Sequence, residues 1–335
     1  MLKGFNKESA GSLRMLTAKN LVLVVSVVAT FVTVQLLRTL GIISSVGEST
    51  LALICINIIL AVSLNLIVGF TGQFSLGHAG FMSIGAYVCA LIVLEFPTTL
   101  GLVGGLLAGG IIAMIFGILI GFPTLRLKGD YLAIGTLGFG EIIRVVFLNL
   151  EATGGASGLA SIPRLATWPW LFGLTALTVL IINNFIKSNR GRSCLAIRED
   201  EIAAESMGIN STKYKVMAFA IGAFFAGIAG GLYASYFYFI SPAVFGFLRS
   251  INILVMVVFG GLGSLSGSTI GAIILTWLTT MLRGYTGINN IIYALLLIII
   301  MLFRPQGLMG TIEVTELLKK LKLPLPWKKE KEKVE

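Results

Sequence analysis

From residue 49 to residue 94 the chain carries no Asp, Glu, Lys or Arg. A helix needs about 20 apolar residues to cross a bilayer, so this stretch is long enough for two crossings. Further uncharged stretches occupy residues 21–37, 96–125, 131–140 (continuing to about 150), 165–186, 216–248, 250–282 and 284–303. The stretch 250–282 is too long for one crossing and short for two. It contains "FGGLGSLSGS", residues 259–268, which predicts two short helices meeting at a glycine break. The composition agrees: 12% of residues are charged, against about 25% in a soluble domain. In lipid, helices satisfy their own backbone groups. The prediction is an all-α, polytopic transmembrane bundle of about ten helices, some of them short or broken.

A net charge of +10 is compatible with nucleic-acid binding, but its distribution argues against that. Of 25 Lys and Arg residues, 20 fall before residue 20, in the loop holding Arg126 and Lys128, in residues 187–215, or after residue 303. The opposite side holds Arg38, Arg164, Arg249 and Arg283, and Arg144 lies within a span. By the positive-inside rule both termini are cytoplasmic and the number of crossings is even. The organisation is then a cytoplasmic leader (1–20), a transmembrane domain (21–310) with a cytoplasmic loop at 187–215, and a charged tail (311–335). The basic leader resembles that of a signal peptide. The uncharged stretch behind it is long and no small-x-small site follows, so it reads as a retained first helix.

Cys55, Cys89 and Cys194 form no CxxC or Cys/His spacing, and the chain has one histidine. Neither a disulfide framework nor a metal site is expected. No GxxxxGK[ST] phosphate loop occurs. A convergent catalytic set is lacking, so the chain is not expected to be an enzyme.

"GFTGQFSLGHAGFMSIGAY", residues 69–87, interrupts the longest apolar stretch. Non-helical backbone at membrane depth is tolerated only where protein buries it or water bathes it, and broken helices in transporters commonly form the substrate path. Gln73, Ser75 and His78 supply polar groups there, while Gly72, Gly77 and Gly80 allow close backbone approach. The alternative is an ordinary cytoplasmic turn between spans. Ser75 is placed to cap the following helix, and a neutral His78 is expected to bond to backbone. The pattern F-x-G-x-x-S-L recurs at 70–76 and 259–265, each followed by Ile-Gly-Ala, which makes Gly261 and Ser264 counterparts of Gly72 and Ser75.

Glu141 and Arg144 share a helix face and read as a structural pair inside the membrane. Asn57 and Asn65 are expected to bond between helices, Asn65 being the better placed for the path. "TGGASGL", 153–159, is a glycine-rich loop. In 191–215, Glu199, Asp200 and Glu201 suit the start of a short helix that Ala203 and Ala204 continue and Gly208 stops. Such a helix can dock into a partner's groove.

Taken in order, "GFTGQFSLGHAGFMSIGAY", "RLKGDYLAIGTLGFGEIIR" (126–144), "TGGASGL", "AIREDEIAAESMGI" (196–209), "FFAGIAGGLYA" (224–234), "VFGGLGSLSGSTIGA" (258–272) and "RPQGLMG" (304–310) resemble the permease subunits of branched-chain amino acid ABC transporters, of the LivM type. The resemblance implies an importer of leucine, isoleucine and valine in the plasma (inner) membrane, fed by an extracytoplasmic binding protein. Related permeases carry urea, other small amides or other amino acids, and an ion-coupled secondary transporter is the remaining alternative. The implied partners are a second, LivH-like permease subunit and two ATPase subunits. ATP is used by those subunits and no cofactor is held by this chain. Residues 196–209 match the segment that couples to an ATPase, so Arg198, Glu199, Glu201, Ala203, Ala204 and Gly208 would face it. Asn65, Gly72, Gln73, Ser75, Gly77, His78, Gly261 and Ser264 would line the path.

Overall fold

The computed structural model describes residues 28–124, 129–282, 295, 298, 302 and 307–310. Their regular structure is helical apart from one isolated bridge, Leu159 to Ile240. The helices are α1 (Val28–Thr39), α2 (Ser45–Thr71), α3 (His78–Glu95), α4 (Thr99–Thr124), α5 (Asp130–Asn149), α6 (Trp168–Lys187), α7 (Asn189–Glu199), α8 (Glu201–Ser206), α9 (Ser211–Phe237), α10 (Phe247–Gly260) and α11 (Leu265–Met281). Six of them, α2 to α6 and α9, are long and apolar enough to cross a membrane.

The chain divides into two compact units, residues 1–51 and 52–335. In the first, α1 is followed by a turn at Gly41, and Arg38 Nε pairs with Glu48 Oε1 at 2.8 Å. In the second, α3, α4 and α9 form the core. Helices in lipid gain little from burying apolar area, so close packing of small residues holds them. On α4 every fourth residue is small: Gly101, Gly105, Gly109, Ala113, Gly117 and Gly121, all buried. The other face shows Leu107, Ile111, Ile115, Leu119 and Phe122, as a lipid-contacting helix should. A Cβ at Gly85 of α3 would lie 2.0 Å from the Gly227 carbonyl oxygen of α9, and one at Gly109 would lie 2.9 Å from that of Gly85. The three backbones therefore touch with no side chain between them. Phe81 meets Phe219 edge to face at 5.6 Å beside this contact.

The uncharged stretch 250–282 folds as expected, into α10 and α11 separated by residues 261–264. The stretch 216–248 is not one span. Helix α9 stops at Phe237 because Tyr238 turns left-handed at φ 50°, and Pro242 then opens a short 3-10 turn ahead of α10. Absence of charge marks apolar chain, not the end of a helix. Segments 150–167 and 238–246 meet through Leu159 N to Ile240 O (2.9 Å) and Ile240 N to Leu159 O (3.0 Å). Helices α7 and α8 connect the other ends of α6 and α9. The leader, the Arg126/Lys128 loop and the charged tail lie outside the described residues, as does most of the expected last span.

Candidate functional site

The path of the backbone after α2 is set by Gly72, whose φ of +70° is a left-handed conformation that favours glycine. Gln73 N then donates back to Ile67 O at 3.1 Å, and residues 72–77 run as irregular backbone. Burial alternates along them: Gln73, Ser75 and Gly77 are buried, while Gly72 and Phe74 are exposed. A surface turn would not bury its polar members in this way, so the segment folds back into the bundle. His78, at the start of α3, reaches Ser63 two turns before the end of α2, with Nε2 2.9 Å from Ser63 Oγ.

The break is fixed from three helices. Leu76 N donates to Thr136 Oγ1 of α5 at 3.0 Å, and Ala79 N donates to Ser250 Oγ of α10 at 3.1 Å. A Cβ at Gly77 would stand 2.4 Å from Thr136 O, so α5 lies directly on the backbone there. Two expectations are corrected. Ser75 does not cap α3, because the helix begins later, with Gly77 in the cap position and no side-chain cap. His78 bonds to a serine side chain rather than to backbone. Ser63 Oγ donates to Leu60 O at 3.1 Å, which makes His78 Nε2 the donor to Ser63; in the neutral ring expected from the sequence, Nδ1 is then an acceptor.

Four buried side-chain atoms at the break have no hydrogen-bond partner among the described residues: Gln73 Nε2, Gln73 Oε1, Ser75 Oγ and His78 Nδ1. An unsatisfied buried polar group costs about 1–3 kcal/mol, so such a cluster calls for a functional account. The set provides a donor and several acceptors without fixed charge. Replacing Gln73 by alanine removes two of the four atoms, and the expected result is an assembled protein with at least 10-fold slower transport. Unchanged transport kinetics would remove Gln73 from the path.

The second break lies against the last turns of α2, just ahead of the first. Asn65 of α2 donates from Nδ2 to Ser264 O (2.9 Å) and accepts from Gly263 N at Oδ1 (3.0 Å). Both polar ends of Asn65 are thus engaged in holding the 261–264 turn. Gly261 has φ +120° and Gly263 φ +84°. Ser264 caps α11 by accepting from Gly267 N at 3.1 Å. Leu308 N and Met309 N donate to the carbonyls of Phe259 and Gly260 at 2.9 and 3.1 Å, so residues 308 and 309 close over the end of α10. Asn57, the other asparagine of α2, donates to Thr276 Oγ1 of α11 at 2.8 Å.

Arg198, the penultimate residue of α7, reaches both breaks. Its Nη1 donates to Gly69 O at 2.8 Å, and a Cβ at Gly263 would lie 2.7 Å from that same nitrogen. Its guanidinium also pairs with Glu199. It is therefore turned to the chain's own broken helices. Asp200 caps α8, its Oδ1 accepting from Ile202 N (2.9 Å) and Ala203 N (3.0 Å). Glu201 pairs with Lys215 at 2.6 Å, and Gly208 ends the turn at φ +83°. Ala204 is buried, whereas Ile202 is 76% and Met207 83% exposed. The outward apolar face of α8 is therefore Ile202 and Met207, two residues that sequence reasoning passed over.

Glu141 and Arg144 pair as expected, Arg144 Nε lying 2.6 Å from Glu141 Oε2. All three cysteines are buried and unpaired, and burial pushes the Cys194 thiol up to about 11. Among the described residues no group of three or more His, Cys, Asp or Glu is placed to hold a metal ion. Thr136, Ser63 and Ser250 were missed. Thr136 sits inside the "RLKGDYLAIGTLGFGEIIR" motif, which was the available signal. Nothing marked Ser63 or Ser250.

A chain with six helices long and apolar enough to cross a bilayer is a multi-pass membrane protein. It belongs to the family described as "branched-chain amino acid transport system / permease component", whose family model matches residues 47–304. It is 37% identical over 304 residues to the high-affinity branched-chain amino acid transport system permease protein LivM of Salmonella typhimurium (strain LT2), covering 79% of this chain and 70% of that protein. It is 38% identical over 293 residues to LivM of Escherichia coli (strain K12), covering 76% and 68%. To the permease protein LivH of Salmonella typhimurium it is 28% identical over 289 residues, covering 76% and 92%. No solved structure matches the chain.

Proposed function

We propose that the chain is a membrane-spanning permease subunit of an ABC importer for leucine, isoleucine and valine. It sits in the inner membrane with both termini cytoplasmic, in keeping with the bias of Lys and Arg. A binding protein delivers cargo from outside, a LivH-like subunit forms the other half of the path, and two ATPase subunits drive it from the cytoplasm. No cofactor is held by this chain; ATP is used by the partners. The observation that carries this reading is the buried polar set at Gln73, Ser75 and His78, four of whose side-chain atoms have no partner among the described residues, in a chain whose relatives are branched-chain amino acid permeases. Such a set can solvate a zwitterion in transit without a fixed charge that would hold it. Arg198 supports the coupling assignment, because it ties the segment expected to meet an ATPase to both breaks.

An ion-coupled carrier is disfavoured by Glu141, among the described residues the one acidic residue placed well inside a span. Its two oxygens are engaged by Arg144 Nε and by Phe247 N at 3.0 Å, so it is not an open cation ligand. Cargo is tested by competition against labelled leucine uptake by the assembled transporter. Isoleucine and valine should compete, and urea should not. Urea uptake without leucine uptake would move the chain to the amide branch of the family.

A further inference from the structure

The last carbonyls of a helix have no donor within it. In a continuing α2, Gln73 N would donate to Gly69 O. Gln73 N instead turns back to Ile67 O at 3.1 Å, which leaves Gly69 O to another donor. That donor is Arg198 Nη1 of α7, at 2.8 Å. A cation at the carboxyl end of a helix also meets the negative pole of its dipole.

The Arg198 side chain lies in a socket of glycines. A Cβ at Gly72 would stand 3.2 Å from Arg198 Cγ, and one at Gly263 would stand 2.7 Å from Arg198 Nη1 and 3.3 Å from Gly69 O. A Cβ at Gly69 would stand 2.4 Å from Gly263 N. Gly72 and Gly263 also have positive φ, +70° and +84°, which residues with a side chain rarely adopt. The socket joins the end of α2, the start of the first break and the turn 261–264, and one side chain reaches all three.

The other edge of the guanidinium is held by Glu199. Arg198 Nε donates to Glu199 Oε1 at 3.1 Å, and Nη2 donates to the same oxygen. Glu199 ends α7, and Asp200, in extended conformation, is the single residue between it and α8. The Arg198 side chain is 27% exposed and that of Glu199 70%. The pair therefore runs from the bundle to the surface beside Ile202 and Met207. A latch must detach as well as hold. Glu199 travels with Arg198, so withdrawal from Gly69 does not leave the guanidinium without a counter-charge.

We propose that Arg198 is a positioning residue for transport. It latches the Gly69–Gly72 end of the first break to the turn 261–264, and its withdrawal when α8 moves releases Gln73, Ser75 and His78 toward the cytoplasm. The proposal rests on the ATP-driven importer read above and deepens it by naming the side chain through which α8 moves both breaks.

The test uses proteoliposomes holding this chain with its co-purifying partners, with a binding protein and radiolabelled leucine outside and ATP inside. Leucine uptake and ATP hydrolysis are read in the same vesicles. Arg198→Gln should retain the ATPase subunits and raise the ATP hydrolysed per leucine imported about 10-fold, the scale of a coupling position. Arg198→Lys, which can still donate to Gly69 O, should return that ratio to within about three-fold of wild type. Gly263→Ala displaces Nη1 without altering α7 or α8, and should raise the ratio as Arg198→Gln does. The two changes together should exceed neither alone, because both remove one contact. A wild-type ratio in Arg198→Gln would overturn the latch. So would loss of the ATPase subunits from that variant, or a ratio in Arg198→Lys as high as in Arg198→Gln. A purely structural residue lowers the yield of monodisperse transporter and leaves the ratio alone. If wild-type vesicles import leucine with ATP and the ratio does not move in the variants, the latch fails while the importer reading stands. Wild-type vesicles that import no leucine with ATP contradict the importer reading, and the latch falls with it.

Discussion

Replacing Gly230 by valine is expected to abolish the folded bundle. A Cβ there would stand 1.9 Å from Met82 O and 2.9 Å from Ala86 N, so the obstacle is the backbone of α3 and no rotamer relieves it. Overpacking a core typically costs about 1–3 kcal/mol when side chains can shift; here two helices must separate and the cost lies above that range. Because packing is what associates helices in lipid, the separation spreads to α4, which meets both helices at Gly109. The check is the yield of monodisperse protein by size-exclusion chromatography. Gly138→Ala and Gly104→Ala, where a Cβ meets nothing within 4 Å, should leave the yield unchanged. A monodisperse Gly230→Val protein at wild-type yield would contradict this packing.

The proposed docking of ATPase subunits on α8 predicts that the double variant Ile202→Glu, Met207→Glu releases them without disturbing the bundle. Both side chains are exposed, so the chain alone loses little by the change. Each apolar side chain buried in a partner's groove contributes roughly 1.5–3 kcal/mol, and a carboxylate forced into that groove adds a desolvation cost. A loss of about 3 kcal/mol is already more than 100-fold in affinity. Co-purification of the ATPases should fall to background while the permease remains monodisperse. Retention of the ATPases would move the docking face off α8. Ala204→Arg is the poorer test, since Ala204 is buried within the chain and a large cation there disturbs α8 itself.

The features legible in the sequence were those written in charge and glycine. Uncharged stretches marked the apolar chain from which six helices able to cross a membrane form, and "FGGLGSLSGS" located the break between α10 and α11, because helix interruption in lipid needs residues that tolerate unusual backbone. Ends of helices were less legible. Nothing in the apolar text around Tyr238 announces its left-handed turn, which depends on the packing of segments distant in sequence. The every-fourth-residue glycines of α4 stood in the sequence and were passed over, though their spacing is the signature of close helix contact. At the site, Gln73, Ser75 and His78 were marked by being polar in an apolar stretch. Asn65 was marked too, but its partners at 263 and 264 are almost 200 residues away, so its clamping role could come only from the fold. Arg198 shows the same limit: its charge placed it at the coupling segment, and only the folded chain shows it bonded to Gly69.

Proteoliposomes would contain this chain with its co-purifying partners, with a binding protein and radiolabelled leucine outside and ATP inside. The predicted result is uptake that requires both ATP and the binding protein and disappears when either is withheld. Leucine uptake driven by an ion gradient, with neither ATP nor the binding protein present, would contradict the account and make Glu141 the first residue to substitute.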